Sequence, residues 1–195
     1  MKKIAITQAR GRLEKVQAAL AALTQARTFA DSDSAWSDFL LASSGVYSKL
    51  EQGAKGAGKS EAWFGRKKYE RKHDPLLRYI HHARNADEHG IEPVTAHHTG
   101  SFAAAGNGAY RLDGSGGPDH VDLKITHLGG EPPRIEITRP SVKLVLVRDA
   151  RYGDTFEPPA AHLGNALEDQ SPLAVAKLAL SYLECLLAEG SELVE

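Results

Sequence analysis

The stretch Asp74-Pro-Leu-Leu-Arg-Tyr-Ile-His-His-Ala-Arg-Asn-Ala-Asp-Glu-His-Gly90 carries both ends of a helix and a dense row of ionisable side chains between them. Asp74 is a natural N-cap, because a short carboxylate accepts the unpaired N–H groups of a first turn. Pro75 suits the first helical position, where its missing N–H costs nothing, and Gly90 suits a left-handed residue just past the end. Leu76, Leu77, Ile80 and Ala83 form one apolar face, and His81, His82, Arg84, Asn85, Asp87, Glu88 and His89 crowd the rest. A spacing of four puts Asn85 and His89 on one face, with Glu88 beside both Arg84 and Asn85. His89 falls in the last turn, where the helix dipole suits a cation. A guanidinium that forks onto phosphate oxygens, beside an imidazole able to move a proton, is competent for phosphodiester chemistry.

Upstream, Leu13, Val16, Leu20 and Leu23 recur at helical spacing and predict one long helix from Lys2 to about Ala30, loosened at Gly11. Asp31-Ser-Asp-Ser34 offers N-caps for a second helix through Trp36, Phe39, Leu40, Val46, Tyr47 and Leu50, with Gly45 as an interruption. Residues 53–60 read as a loop, which makes the Asp74–Gly90 stretch the third helix. Downstream, Gly, Ala, Ser and His dominate 95–118, read as loop with at most a short strand at Ala109–Leu112. Val121–Thr126 and Arg134–Thr138 alternate strictly, and Val142–Val147 is β-branched and apolar. "GGEPP" at 129–133 is expected to join the first two as an antiparallel hairpin or meander. After a Pro-rich connection at 156–164, Ser171-Pro172 opens a last amphipathic helix through Leu173, Ala176, Leu180, Leu183 and Leu187. The expected class is α+β in a single domain over 1–195. An antiparallel helical bundle covers 1–92 and 165–190, with a small antiparallel β-sheet inserted at about 105–150, before the last helix.

The octapeptide Gly53-Ala-Lys-Gly-Ala-Gly-Lys-Ser60 matches the phosphate-loop pattern at every fixed position. A working phosphate loop leaves a buried strand and enters a helix whose N–H groups face the phosphates. Here "SGVYSKLEQ" precedes it, the end of an amphipathic helix, so the stretch reads as a Lys-bearing linker.

With 24 basic and 25 acidic residues, the chain gives no global electrostatic argument for a nucleic-acid partner, and any such argument must be local. No apolar run reaches membrane-spanning length, so no membrane partner is expected. Polar residues interrupt "MKKIAITQARGRLEK", which argues against a signal peptide. A single cysteine, Cys185, excludes an intrachain disulfide and a Cys-rich zinc site, and points to a reducing, cytoplasmic setting. His97, His98, His120 and His127 lack acidic or Cys partners at ligand spacing, so no metal site is expected.

The segment "ARNADEHG", Ala83–Gly90, resembles the signature of HEPN domains. There a helix bears Arg, a polar residue that is often Asn, a short spacer and then His. Arg84, Asn85 and His89 fall on those positions. The resemblance covers the helical parts, roughly 1–92 and 165–190, whereas the strands at about 105–150 depart from the minimal family pattern. It implies a HEPN-like bundle forming a homodimer whose motif helices meet across the interface. The implied activity is metal-independent endoribonuclease, as a toxin or defence effector with an antitoxin or other protein partner, and without a cofactor. His89 would transfer a proton, Arg84 would stabilise charge on the phosphate, Asn85 would orient the phosphate or the histidine, and Glu88 would position Arg84. The family also holds non-catalytic nucleotide- or protein-binding modules, which is the alternative. The plain reading of the same residues is Arg84 pairing with Glu88 or Asp87 on an exposed helix, with His89 as a C-terminal cap.

The run Arg66-Lys-Lys-Tyr-Glu-Arg-Lys-His73 places Arg66, Lys67, Lys68, Arg71 and Lys72 where they could hold an RNA backbone, with Tyr69 and Trp63 available to stack on bases. The bland reading of that run is a solvated face. Arg66 and His73 also make a second Arg–His pair, at what reads as a helix entry and without the Asn.

Overall fold

The computed structural model describes residues 1–117, 120–148 and 153–194. Residue 118 of the expected loop and residues 149 and 150 of the expected insertion lie outside that range. The fold is mixed α+β, and the chain divides into one unit of Met1–Ala96 with Val142–Glu195 and another of His97–Ser141.

In the first unit, α1 (Lys3–Gln25) and α2 (Phe29–Ala54) pack as an antiparallel pair. Buried Ala5, Ile6, Ala9, Leu13, Val16, Ala19 and Leu23 recur every three or four residues along α1, as a helix facing a core requires. Both helices run through their glycines, so the expected loosening at Gly11 and interruption at Gly45 do not occur. At Gly45 the missing side chain makes room for Arg12, whose Cδ would lie 3.0 Å from a Cβ built there. The α2 helix also begins earlier than its expected caps. Thr28 Oγ1 accepts the Asp31 N–H at 3.1 Å while Asp31 Oδ2 accepts the Thr28 N–H at 3.3 Å. Asp31 is thus the far half of a capping box rather than the cap itself.

The phosphate-loop match dissolves into helix ends. Gly53 and Ala54 close α2, and Gly58–Ser60 open α3 (Gly58–His73), leaving only Lys55–Ala57 between them. A Cβ at Gly53 would lie 2.3 Å from Ala5 Cβ, so this glycine serves the approach of α1 to α2. The α3 helix corrects the sequence reading, which had a loop over its first residues and a helix entry over its last. Its buried face is narrow: Ser60, Trp63 and Phe64.

The motif helix is therefore the fourth, α4 (Pro75–His89), capped as expected: Asp74 Oδ1 accepts the Leu77 N–H at 2.9 Å. The same carboxylate accepts the Leu163 N–H at 2.6 Å and lies 3.0 Å from His162 Nδ1. One buried aspartate thus starts the helix and pins the small hairpin of β9 (Ala161–His162) and β10 (Asn165–Ala166) against it. Gly90 differs from expectation: φ −96° and ψ 178° make it extended, not left-handed. Its lack of a side chain still matters, because a Cβ would lie 2.5 Å from the Ala86 carbonyl oxygen. The last helix, α5 (Pro172–Glu192), starts at the Ser171 cap and buries Val175, Ala176, Ala179, Tyr182, Leu183, Leu186 and Leu187. The shared core is centred on Trp36 and Phe39, whose rings stack 5.7 Å apart, with Leu40, Leu50, Leu76, Leu183 and Leu186.

Strands begin inside the stretch read as loop. β1 (Thr95–His98) pairs with β6 (Ser141–Leu144), β2 (Ser101–Ala105) with β5 (Arg134–Thr138), and β3 (Ala109–Gly117) with β4 (His120–Gly129). The expected hairpin across "GGEPP" is not formed, since β4 and β5 each pair with an earlier strand. Within His97–Ser141 the result is a two-stranded antiparallel ribbon, jointed where Gly106 and Gly108 meet 130–133. The backbones approach so closely there that a Cβ on Gly108 would lie 2.0 Å from the Glu131 carbonyl oxygen. The short β7 (Val147–Arg148) and β8 (Thr155–Phe156) return the chain to the helices. No helix among the described residues is long and apolar enough to cross a membrane.

Candidate functional site on the fourth helix

The α4 helix holds its polar residues by packing on its other face. Leu76, Leu77, Tyr79, Ile80, Ala83 and Ala86 are buried, and Tyr79 donates its hydroxyl to the Val145 carbonyl at 2.8 Å. Burial pushes the Tyr79 phenol above its usual range. On the open side, Phe156 stacks on the His82 ring at 3.6 Å, and Ser37 Oγ donates to Asp87 Oδ1 at 2.9 Å.

Arg84, Asn85, Glu88 and His89 form one connected cluster. Arg84 Nη2 makes an ion pair with Glu88, Arg84 Nη1 donates to Asn85 Oδ1 at 3.2 Å, and Glu88 Oε2 lies 3.8 Å from His89 Nε2. Glu88 therefore touches both the guanidinium and the imidazole. The His89 side chain is 66% exposed, whereas that of Arg84 is only 25% exposed. The two also border different clefts. His89 lines an open one of about 360 Å³ with Ala86, Val94, Leu146, Val147 and Arg148 at the C-terminal end of α4. Arg84 lines a narrow one farther back along the helix.

The basic residues singled out from sequence meet separate fates. Lys67 bonds Glu189 at 2.9 Å and pairs with Glu70 at 3.6 Å; Lys68 pairs with Glu51 at 3.0 Å. Burial would raise the Glu189 carboxyl, but donation by Lys67 and by Trp63 Nε1, at 2.8 Å, outweighs it and holds the group below its ordinary value. Arg71 turns inward, its guanidinium carbon 4.5 Å from the centroid of the Tyr47 ring. Arg66 and Lys72 remain exposed. Trp63 is buried and so is withdrawn from base stacking, while Tyr69 stays exposed with its ring tilted against His73 at 3.9 Å. Among the described residues no three His, Cys, Asp or Glu side chains cluster at metal-holding spacing.

Sequence reasoning missed the narrow cleft. Ser43 and Tyr47 of α2, Arg71 of α3, and His81 and Arg84 of α4 meet over apolar walls that include Leu40, Ile80 and Leu183. Its interior has room for little more than one water-sized group. Ser43 Oγ, Tyr47 OH and Arg84 Nε are shut away from solvent there without a hydrogen-bond partner. The Tyr47 and Tyr182 hydroxyls approach one another without a well-formed hydrogen bond. Burial pushes both phenols above their usual range. Leaving such groups unsatisfied costs roughly 1–3 kcal/mol each, and most buried polar atoms avoid it. No local pattern announces this cleft, because its residues come from four separate helices.

Comparisons of the chain with protein-family models, with curated proteins and with solved structures return no match.

Proposed function

We propose that the protein is a HEPN-like, metal-independent endoribonuclease, acting as a homodimer in the manner of a toxin or defence effector. The observation that carries this reading is the Arg84–Asn85–Glu88–His89 cluster, joined through Glu88 on the exposed last turns of a helix capped at Asp74. A ribose 2′-hydroxyl attacks the adjacent phosphorus; the P–O2′ bond forms and the P–O5′ bond breaks, leaving a 2′,3′-cyclic phosphate and a 5′-hydroxyl. His89, open to solvent, takes the 2′-hydroxyl proton, and the imidazole of a second copy returns one to the departing O5′. Arg84 stabilises the charge growing on the non-bridging oxygens, partly exchanging Glu88 for the phosphate. Asn85 holds the guanidinium from the side, and Glu88 positions both it and the imidazole. Of the basic run at 66–72, Arg66 and Lys72 are the side chains left to meet the RNA backbone. A cytoplasmic setting and an antitoxin-like partner belong to the same reading.

The test is incubation of mixed RNA with the purified chain in excess chelator, beside the Arg84→Ala/His89→Ala double variant, with analysis of the product ends. The wild type should leave cyclic phosphates, and the double variant should lose at least about 10²-fold in rate. Equal cleavage by both would assign the activity to a contaminant and overturn the proposal. Bound but intact RNA or nucleotide would select the alternative, a non-catalytic HEPN-like binding module.

A further inference from the structure

The narrow cleft between α2, α3, α4 and α5 has the make-up of a ligand site separate from the exposed histidine. We infer that it binds a small oxyanion, phosphate or carboxylate, through Arg71, Arg84 Nε and the hydroxyls of Ser43 and Tyr47. Four observations converge on this. Ser43 and Tyr47 are 2% and 7% exposed; the Ser43 hydroxyl has no partner in the fold, and the Tyr47 hydroxyl has only the loose approach of Tyr182. Arg84 spends its two terminal nitrogens on Glu88 and Asn85, yet its Nε–H is buried and unsatisfied. The Arg71 guanidinium rests on the Tyr47 ring, which holds the cation at the cleft without consuming its N–H donors. The space admits one oxygen-sized group inward, so an oxyanion enters by one oxygen while its body stays at the mouth.

Donor chemistry sets the ligand class. Guanidinium N–H groups only donate, and a hydroxyl donates readily to an anion, so the group that satisfies all four is an acceptor carrying negative charge. Low polarity in the walls, from Leu40, Ile80 and Leu183, strengthens each of these bonds. The apolar lining would also suit a carboxylate borne on a hydrocarbon body. Retaining an unsatisfied serine in the middle of α2 costs stability, and binding sites are where such costs are kept. The inference does not require RNA cleavage: a chain that leaves RNA intact can still hold an oxyanion here.

The experiment titrates inorganic phosphate and, separately, benzoate into the full chain by calorimetry, with Ser43→Ala, Arg71→Gln and the surface control Arg10→Gln alongside. Saturable binding of at least one probe is expected. Ser43→Ala and Arg71→Gln should each weaken it by about tenfold or more, and Arg10→Gln by less than about twofold. Preference between phosphate and benzoate tells which oxyanion the walls select. Melting of the unliganded proteins supplies a second readout: Ser43→Ala should be as stable as the wild type or more so, because it removes a hydroxyl that nothing in the fold satisfies. The proposal is overturned if neither probe binds at millimolar concentration, or if binding survives Ser43→Ala undiminished. A clear loss of melting temperature in unliganded Ser43→Ala would also overturn it, since the hydroxyl would then be partnered within the fold.

Discussion

In the helical unit Phe39 is fully shut from water, whereas in the ribbon Ile137 keeps 70% of its surface exposed, although both lie in stretches with the apolar period of their element. The ribbon register explains how. Phe102 faces Ile137 and Ala104 faces Ile135, while Ala103 faces Glu136 and Ala105 faces Arg134. In the outer pair Leu112 faces Ile125, and Asp113 faces Lys124. Directly opposed residues share a face, so each pair of strands has an apolar side and a polar side. The patterning is as orderly as that of α1, but among the described residues of His97–Ser141 no second layer lies over the apolar side. Amphipathic order alone does not bury anything; a second layer does. A two-stranded ribbon is marginal by itself in water, and stability should therefore concentrate in the helices.

The sharpest way to break that contrast is a pair of truncations read by denaturant unfolding. Phe39→Ala should cost about 3–5 kcal/mol, the price of a large cavity, and Ile137→Ala should stay within about 0.5 kcal/mol. A comparable loss at Ile137 would mean that the ribbon face is covered in solution. A finer probe compares two glycines. Gly53→Ala forces a methyl group onto Ala5 and should destabilise by about 1–3 kcal/mol. Gly65→Ala lies inside α3 with nothing within 4 Å of the new methyl, and should stabilise by about 0.5–1 kcal/mol through helix propensity. A destabilising Gly65→Ala would argue against helix at that position. The smallest effect is electrostatic. The Glu189 carboxyl is held below its ordinary value of 4.5 in the folded chain, so its contribution is present above that pH and is lost as pH falls through the lowered value. Glu189→Gln should therefore be less stable than the wild type near neutral pH, and the difference should vanish as the pH falls through the lowered value. The gap should stay below about 1 kcal/mol, because the side chain is 44% exposed.

Legibility followed the range of the interaction. The α4 boundaries were readable because capping acts over three or four residues: Asp74 on Leu77, with Pro75 and Gly90 in place. The ion pair of Arg84 with Glu88 was readable at a spacing of four for the same reason. By contrast α3 was hidden, since a helix that buries only Ser60, Trp63 and Phe64 shows little period. Its lysine at 67 also finds its carboxylate 122 residues away, on Glu189. The strands β1 and β2 were hidden and only the first residues of β3, Ala109–Leu112, were read, because Gly and Ala carry weak strand preference; their order comes from partners such as Thr138 opposite Ser101, far along the chain.

By itself the sequence determined the α+β class, the capped motif helix and the polar cluster of Arg84, Asn85, Glu88 and His89, because local hydrogen bonds and helical spacing encode them. Only the tertiary structure decided that Arg84 and His89 open onto different clefts, that Lys67 and Lys68 are held by carboxylates, and that Ser43, Tyr47 and Arg71 converge beside Arg84. The physical reason is that burial and long-range pairing are properties of whole packed elements, which no short window of residues contains.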